Sequence, residues 1–417
     1  MSVFREYRSL PGPIWAMAVA RMVNAVGSFV YPFLTLLLTD KLEFDKGTAG
    51  RILMIATVMF VPGSLIGGWL ADRVGRKRLL ITAQIIGALC LGIIGFMPFT
   101  PLIIWPILIQ NFFFGLMMPA SSAITYDLTG PENRKTAFSL LYLSMNLGFA
   151  VGPFLAGFLY ESHARWLFIG DAGTTLLSLV FIIILVPETL GSASGKPSSN
   201  LEQPEQGSTV RLLLKRPILL SFVALMAVPW FIYGQHSFTL PIFSKELFPE
   251  TGALLYGKMM SLNAVFVVLC TVPIIGLTRR FRPITNVAFN AILYALGFGM
   301  LAFFHSPAAF YLSVLIWTSG EILGATNVEV FTANHTPSSH RGRFASILPL
   351  ISGSGRALSP WLTGVFLLTR PTYYAWYLSL ALGLSAAAGF LILRFIDKRR
   401  GTDAEKPALL NNKFPQN

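Results

Sequence analysis

The sequence predicts an all-α polytopic membrane protein with 12 transmembrane helices in two six-helix halves related by pseudo-twofold symmetry. The first observation behind this is composition. Of 417 residues, 54% are apolar and only 12% are Asp, Glu, Lys or Arg, and the mean hydropathy is +0.63. A soluble domain carries roughly 25% charged residues, so this chain cannot cover itself with a water-facing surface, and a soluble enzyme is excluded. The second is that apolar runs of bilayer-spanning length, about 20 residues, recur along the whole chain. The third is an internal repeat: at a constant offset of 207 residues Arg134 falls on Arg341, Gly148 on Gly355, Pro153 on Pro360 and Gly157 on Gly364.

The spans read in order from apolar runs bounded by charges or by Pro/Gly turns. Residues 13–38, 47–70, 78–98, 101–127, 136–159 and 166–187 form the first six. Residues 217–243, 253–277, 283–304, 308–334, 343–368 and 371–395 form the second six. The first run is too long for a leader and lacks a small-residue cleavage site, so it reads as a retained helix. Between the sets, 188–216 has the Ser, Gly, Pro and Gln content of a flexible linker. The expected organisation is therefore 1–187 and 217–395 as two halves, with 188–216 a cytoplasmic linker and 396–417 a poorly ordered cytoplasmic tail.

Charge placement sets the expected orientation, because cytoplasmic loops retain Lys and Arg. Arg73, Arg76, Lys77, Arg78, Arg134, Lys135, Arg279, Arg280, Arg282, Arg341 and Arg343 fall in one set of alternate loops, with Arg5, Arg8 and the bases of the linker and the C-terminal tail. Lys41, Lys46, Arg51, Arg165, Lys245, Lys258 and Arg370 fall on the other side. Both termini are thus expected in the cytoplasm. The net charge of +13 follows this asymmetry, so it signals membrane topology and no nucleic-acid partner. Cys90 and Cys270 lie inside apolar runs and read as small hydrophobes, with no metal or redox role.

Between the second and third spans stands Gly68-Trp69-Leu70-Ala71-Asp72-Arg73-Val74-Gly75-Arg76-Lys77. Its glycines permit close approach and a turn, and its acid and three bases sit at the membrane surface. In the fifth span, Gly148, Gly152, Pro153 and Gly157 place small residues at a spacing that lets two helices touch backbone to backbone, with Pro153 removing one backbone bond. The first motif resembles the GxLaDRxGRK loop of the major facilitator superfamily, and the second its antiporter pattern GxxxGPxxxG. Asp127 followed by Pro131-Glu-Asn-Arg134, Gln235 with Leu240-Pro241, and Gly320-Glu321 are similar to the twelve-helix, proton-coupled drug exporter branch. The resemblance implies the major facilitator fold, alternating access, and a cytoplasmic gate of Gly68, Asp72, Arg73, Gly75, Arg76, Asp127 and Arg134. In that gate Asp72 faces the start of the eleventh span near Gly342, and Arg76 pairs with Asp127. One departure is Asn111, four residues before Gly115 where the branch often carries Arg, so a proton route through that Arg does not transfer.

Ionisable groups inside spans cost several kcal/mol unless paired, neutralised or hydrated, and so mark pathways. Glu321, Glu329 and Asp127 are the candidates for proton coupling. Glu321 and Arg356 both fall near the middle of their spans and are expected to meet, either as a coupling site or as a static ion pair. Arg21, Asn24, Asn111, Met117, Trp230, Tyr233, Gln235 and His236, with Glu321 and Arg356, are expected to line a substrate cavity. No GxxxxGKS/T, HExxH or GxSxG motif is present, so the chain is expected not to be an enzyme and to need no cofactor or metal.

The expected function is export of small amphipathic compounds by proton antiport from the bacterial cytoplasmic (inner) membrane. The partners are a small-molecule substrate, protons and the lipid bilayer, and a monomer suffices. The alternatives are a proton or cation symporter for a metabolite, an exporter of one solute such as a sugar or lipid, and, in another class, a non-transporting receptor or scaffold. Cysteines placed at Ser198 and Thr402 should resist an impermeant thiol reagent applied outside intact cells while one at Glu43 reacts. The reverse pattern would invert the assigned orientation.

Overall fold

The computed structural model describes residues 7–130, 132–190, 213–214, 216–336 and 341–399. Among these the chain is helical throughout and contains no strand. Hydrocarbon offers no hydrogen-bond partner, so each crossing segment satisfies its own backbone as a helix. The segments are α1 (Gly12–Lys41), α2 (Lys46–Val74), α3 (Arg76–Phe96), α4 (Pro101–Asp127), α5 (Arg134–His163), α6 (Arg165–Leu185), α7 (Pro217–Leu247), α8 (Gly252–Thr278) and α9 (Pro283–Ala302). They continue with α10 (Pro307–His335), α11 (Arg341–Phe366) and α12 (Tyr374–Arg399). Eleven are long and apolar enough to cross a membrane on length and composition. The remaining one, α11, is 26 residues long but more polar, with Arg356 in its interior. Each expected span coincides with one of these helices to within a few residues. The expected linker and tail lie mostly outside the described residues, as do Pro131, Ser198 and Thr402.

Three helices are interrupted where the sequence removes or weakens backbone bonds. In α1 the helix Gly12–Val26 stops at Gly27 and resumes as Val30–Leu36. In α5 the pieces Arg134–Phe149 and Gly152–His163 meet just before Pro153, which has no N–H to continue the ladder. In α7 a single 3-10 turn, Gly234–His236, separates Pro217–Tyr233 from Thr239–Leu247. Sequence reading anticipated a bend only at Pro153.

Contacts group the chain into two compact units. The first comprises Met1–Lys196, Gln235–Val268 and Ser359–Thr372; the second comprises Pro197–Gly234, Leu269–Leu358 and Tyr373–Asn417. They differ from the 1–187 and 217–395 division because one end each of α7, α8 and α11 packs into the first unit. Each unit has its own apolar core. One is built around Ile14, Ala83, Ala120, Ile124, Ala137 and Leu141. The other is built around Phe222, Val287, Ala291, Phe331, Ala386 and Phe390. Large side chains such as Leu65, Ile184 and Val272 are exposed, a surface suited to lipid and not to water.

The repeat reappears as contacts. In the first unit a Cβ at Gly50 (α2) would collide with the Pro360 carbonyl of α11, and one at Gly257 (α8) with the Pro153 carbonyl of α5. Gly364 meets the Lys46 carbonyl, and Gly157 lies against Ala253 and Leu254. The same offset of 207 relates Gly50 to Gly257 as it relates Pro153 to Pro360, so the α2–α11 and α5–α8 crossings are two copies of one contact. The copies also agree one turn away: Gly148 packs on the α1 backbone at Met22 and, in the second unit, Gly355 on the α7 backbone at Ala227. Gly50→Val and Gly257→Val should each cost about 1 to 3 kcal/mol of overpacking, read as a lower melting temperature of the purified protein. Gly92→Val, at a position with nothing within 4 Å, should melt like the parent. Equal melting of all three variants would mean that these crossings do not hold the first unit together.

Candidate functional site

Side chains with chemistry gather in three places, each inside one unit. The first lies at the α2–α3 turn. Helix α2 ends at Val74 and α3 begins at Arg76, the chain reversing through Gly75 at φ 110°, a conformation L side chains rarely adopt. The Arg76 guanidinium pairs with the Asp127 carboxylate at the end of α4, and Asp72 Oδ1 lies 3.5 Å from the same arginine. Arg76 and Asp127 are mostly buried while Asp72 is largely exposed. The strong member is therefore Arg76–Asp127, since an exposed pair contributes about 0 to 1 kcal/mol. Arg73 stacks over the Trp69 ring at 4.0 Å. Arg134 donates to the carbonyls of Thr129 at 3.2 Å and Tyr126 at 3.4 Å. Gly68 has open space around its Cα. The expected facing of Asp72 to Gly342 falls on a position whose surroundings lie outside the described residues.

Sequence reading missed the residue that completes this turn. Glu188, assigned to the start of the linker, accepts from the backbone amides of Arg76 at 2.9 Å and of Lys77 and Arg78 at 3.3 Å, with Thr189 and Leu190 adding their own. It thus caps the N-terminus of α3 from 112 positions away. In return the Lys77 ammonium donates to the Ile183 carbonyl at 2.8 Å, near the C-terminal end of α6. An anion sits at one helix start and a cation at one helix end, each favoured by the dipole it meets. Burial alone would raise the Glu188 carboxyl, but the amides of Leu190, Lys77, Arg78 and Thr189 outweigh it and hold the group below the usual carboxylate range. No local pattern in the sequence marks a cap whose helix lies so far off.

The second gathering is in the second unit, around Tyr233. Its hydroxyl donates to Glu321 Oε1 at 3.0 Å, and the Arg356 guanidinium stands over its ring at 5.6 Å. Glu321 and Arg356, expected to meet, are thus held against the same tyrosine. The ring is fixed by Tyr294, stacked at 5.7 Å, and by the edges of Trp230 at 5.8 Å and Trp317 at 6.0 Å. Trp317 in turn stacks on Phe298, and Phe298 on Trp376. A hydrogen bond to a charged group contributes about 1.5 to 3 kcal/mol, comparable with the roughly 2.5 to 3.5 kcal/mol cost of a charged side chain mid-membrane.

The third gathering is at the end of the first unit opposite the α2–α3 turn. Gln235 is buried, its amide donating to Ser359 Oγ and Thr363 Oγ1, both at 2.9 Å, and its carbonyl accepting from Thr239. Thr35 of α1 donates to the Ser237 carbonyl at 2.5 Å. Outside these lie Lys46–Glu246 at 2.8 Å and Lys245–Glu161 at 2.6 Å. Lys46, Lys245 and Glu246 edge a cavity of about 540 Å³ that also meets Asp40, Asp45 and Leu367. Its charges answer one another, so Gln235 and its neighbours read as a fastening more than as a cargo site.

The remaining expected cavity residues, all in the first unit, have surroundings of their own. Arg21 donates to Ser121 Oγ at 3.0 Å and Asn24 to Thr175 Oγ1 at 2.8 Å, while Asn111 bonds back to the Ile107 carbonyl at 2.9 Å. Met117 packs against the first core, His236 closes the 3-10 turn of α7, and Glu329 is exposed.

A family model described as Major Facilitator Superfamily matches residues 17–360. A "Na(+), Li(+), K(+)/H(+) antiporter" of Planococcus maritimus is 24% identical over 375 residues, 81% of this chain and 87% of that protein. The "Multidrug resistance protein MdtH" of Aeromonas hydrophila is 22% identical over 311 residues, 72% of this chain and 76% of that one. Among solved structures, a peptide transporter POT in complex with sulfate superposes with a TM-score of 0.77 at 18% identity, covering 96% of this chain and 99% of the other. That likeness concerns the fold alone.

Replacing Glu188 by Gln removes a cap, which costs about 0.5 to 2 kcal/mol. Because the folded carboxyl lies below its usual range, its stabilisation is complete above that range and is lost as pH falls through the depressed value. E188Q should melt below the parent at pH 7, and the gap should shrink in the acid limb. A gap of the same size at all pH values would assign the loss to something other than the carboxylate.

Proposed function

The chain belongs to the Major Facilitator Superfamily, and from that premise we propose that it exports small amphipathic compounds in exchange for protons, by alternating access of two six-helix halves. The observation that carries the reading is the Tyr233–Glu321 hydrogen bond with Arg356 against the same ring. A membrane-embedded carboxylate needs a compensating positive charge. A proton, the Arg356 guanidinium and a cationic cargo are three interchangeable forms of it. A conformation that brings one and withdraws another couples proton binding to cargo release, with about 1.4 kcal/mol of bias for each tenfold change in proton affinity. The antiporter name of one similar protein supports exchange, and the multidrug name of another supports a drug-like cargo.

In this reading the α2–α3 turn is the cytoplasmic gate. Asp127 holds Arg76 within the first unit, and the more exposed Asp72 is left to meet a moving partner. The α2–α11 and α5–α8 crossings, with Gln235 and the Thr35–Ser237 bond, form the gate at the opposite, outer face, here fastened. The site is assigned to the bacterial cytoplasmic membrane with the linker inside.

The deciding measurement is transport in proteoliposomes with an internal pH dye and a panel of amphipathic cations, alkali cations and neutral metabolites. Antiport predicts that cargo moving one way drives protons the other. Symport predicts the same direction for both, and a receptor or scaffold predicts no cargo-dependent proton movement. Glu321→Gln should still exchange cargo at equal pH but lose accumulation driven by a pH gradient, by roughly tenfold or more. If E321Q concentrates cargo as well as the parent does, the coupling role is not at Glu321.

A further inference from the structure

Helix α9 carries a polar stripe on an apolar background. Asn286, Asn290 and Tyr294 stand one turn apart, all buried, and all lie toward α10 in the second unit. Asn290 Nδ2 donates to the Gly320 carbonyl at 2.8 Å, in the peptide that joins Gly320 to Glu321. Asn286 Nδ2 donates to Asn327 Oδ1 at 3.0 Å and to the Thr278 carbonyl at 3.2 Å. Asn327 Nδ2 donates to the Leu323 carbonyl at 2.9 Å and to Thr326 Oγ1 at 3.0 Å. α10 makes room with glycines: a Cβ at Gly320 would stand 3.1 Å from Tyr294 Cδ1, and one at Gly324 3.1 Å from Asn290 Nδ2.

The amide oxygens are the informative atoms. Oδ1 of Asn286 and Oδ1 of Asn290 are buried and have no hydrogen-bond partner among the described residues. A buried acceptor left without a partner has lost its hydration for nothing, whereas an apolar side chain of the same shape has no such loss. Two such oxygens one turn apart are a poor way to pack α9 on α10 and a good way to hold water, which buried polar groups of this kind recruit. One helical turn is about 5.4 Å, the span of two hydrogen bonds through a single water. At one end the stripe reaches Tyr294, whose ring stacks on Tyr233, the tyrosine bonded to Glu321. At the other it reaches Thr278 and Asn286, one turn from the start of α9 at Pro283 and beside the Arg279, Arg280 and Arg282 loop.

We propose that Asn286 and Asn290, with Asn327, hold a line of water that carries protons between Glu321 and the α8–α9 loop. The proposal rests on the reading of Glu321 as the coupling group and adds the route by which its proton leaves. The neutral acid gives its proton to the nearest water, each water passes one on to the next, and a hydronium ion enters the aqueous phase at the loop. A carboxylate remains at Glu321, and no asparagine gains or loses a proton. Every rung belongs to the second unit. Asn290 is a positioning residue, since it holds the carrier and does not touch the cargo.

The test uses the full-length protein and the proton itself as probe. A pH jump followed by time-resolved infrared absorption reports the carboxylic acid C=O band of Glu321, identified as the band missing in E321Q. In Asn290→Leu the band should reach the same final amplitude but relax roughly tenfold or more slowly, and Asn290→Ser, which keeps a polar group and room for water, should restore the rate. Asn286→Leu should slow it likewise and serves if N290L does not fold. Relaxation of N290L or N286L at the parent rate would overturn the route while leaving Glu321 as the coupling group. If no acid band is lost in E321Q at any pH, Glu321 does not titrate and both readings fall.

Discussion

Hydrocarbon cannot hydrogen-bond, and nearly every feature of this chain answers that one fact. It forces the spans into helices, and it makes each polar atom within them either bonded or expensive. Thr35, Asn24, Gln235, Tyr233 and Asn290 all spend their donors on a second helix. At the interruption in α1 a side chain of α6 takes part of the ladder's place, Asp171 accepting from the Val30 amide. Helix association in such a setting draws on close packing and not on a gain from leaving water, which explains why glycines, and not large apolar residues, mark the crossings.

The two symmetric crossings and the Tyr233 cluster divide the labour. The crossings fasten one end of the first unit by backbone contact, a geometry with little tolerance for partial opening. The Tyr233 cluster in the second unit is held by stacking and by a hydrogen bond to an ionisable group, so its energy depends on charge. One is a steric device and the other an electrostatic one, and the proposed cycle needs both: a barrier that is open or shut, and a group whose protonation decides which is favoured.

Much of this was legible in the sequence. Span positions follow from composition and run length, because a membrane helix advertises itself by what it lacks. The repeat was visible in α5 and α11, yet the partners Gly50 and Gly257 went unread although the same offset relates them, since single glycines carry no signal until the facing helix is known. The motif resemblance put Arg76 beside Asp127, and the two side chains pair; what that pair does stays a proposal. Asn286 and Asn290 drew no attention because asparagine in a span looks like an ordinary polar interruption until its carbonyl is found without a partner.

Glu188 has a consequence for how the protein is made. The amides at the start of α3 wait for a carboxylate 112 residues further along, beyond α4, α5 and α6. While the chain is being synthesised, α3 enters the bilayer with its first turn unfinished, and the turn closes only when the end of the sixth span has left the ribosome. The N-terminal half is therefore complete at this turn only when the chain extends as far as Glu188, the first residue past its sixth span that the turn needs.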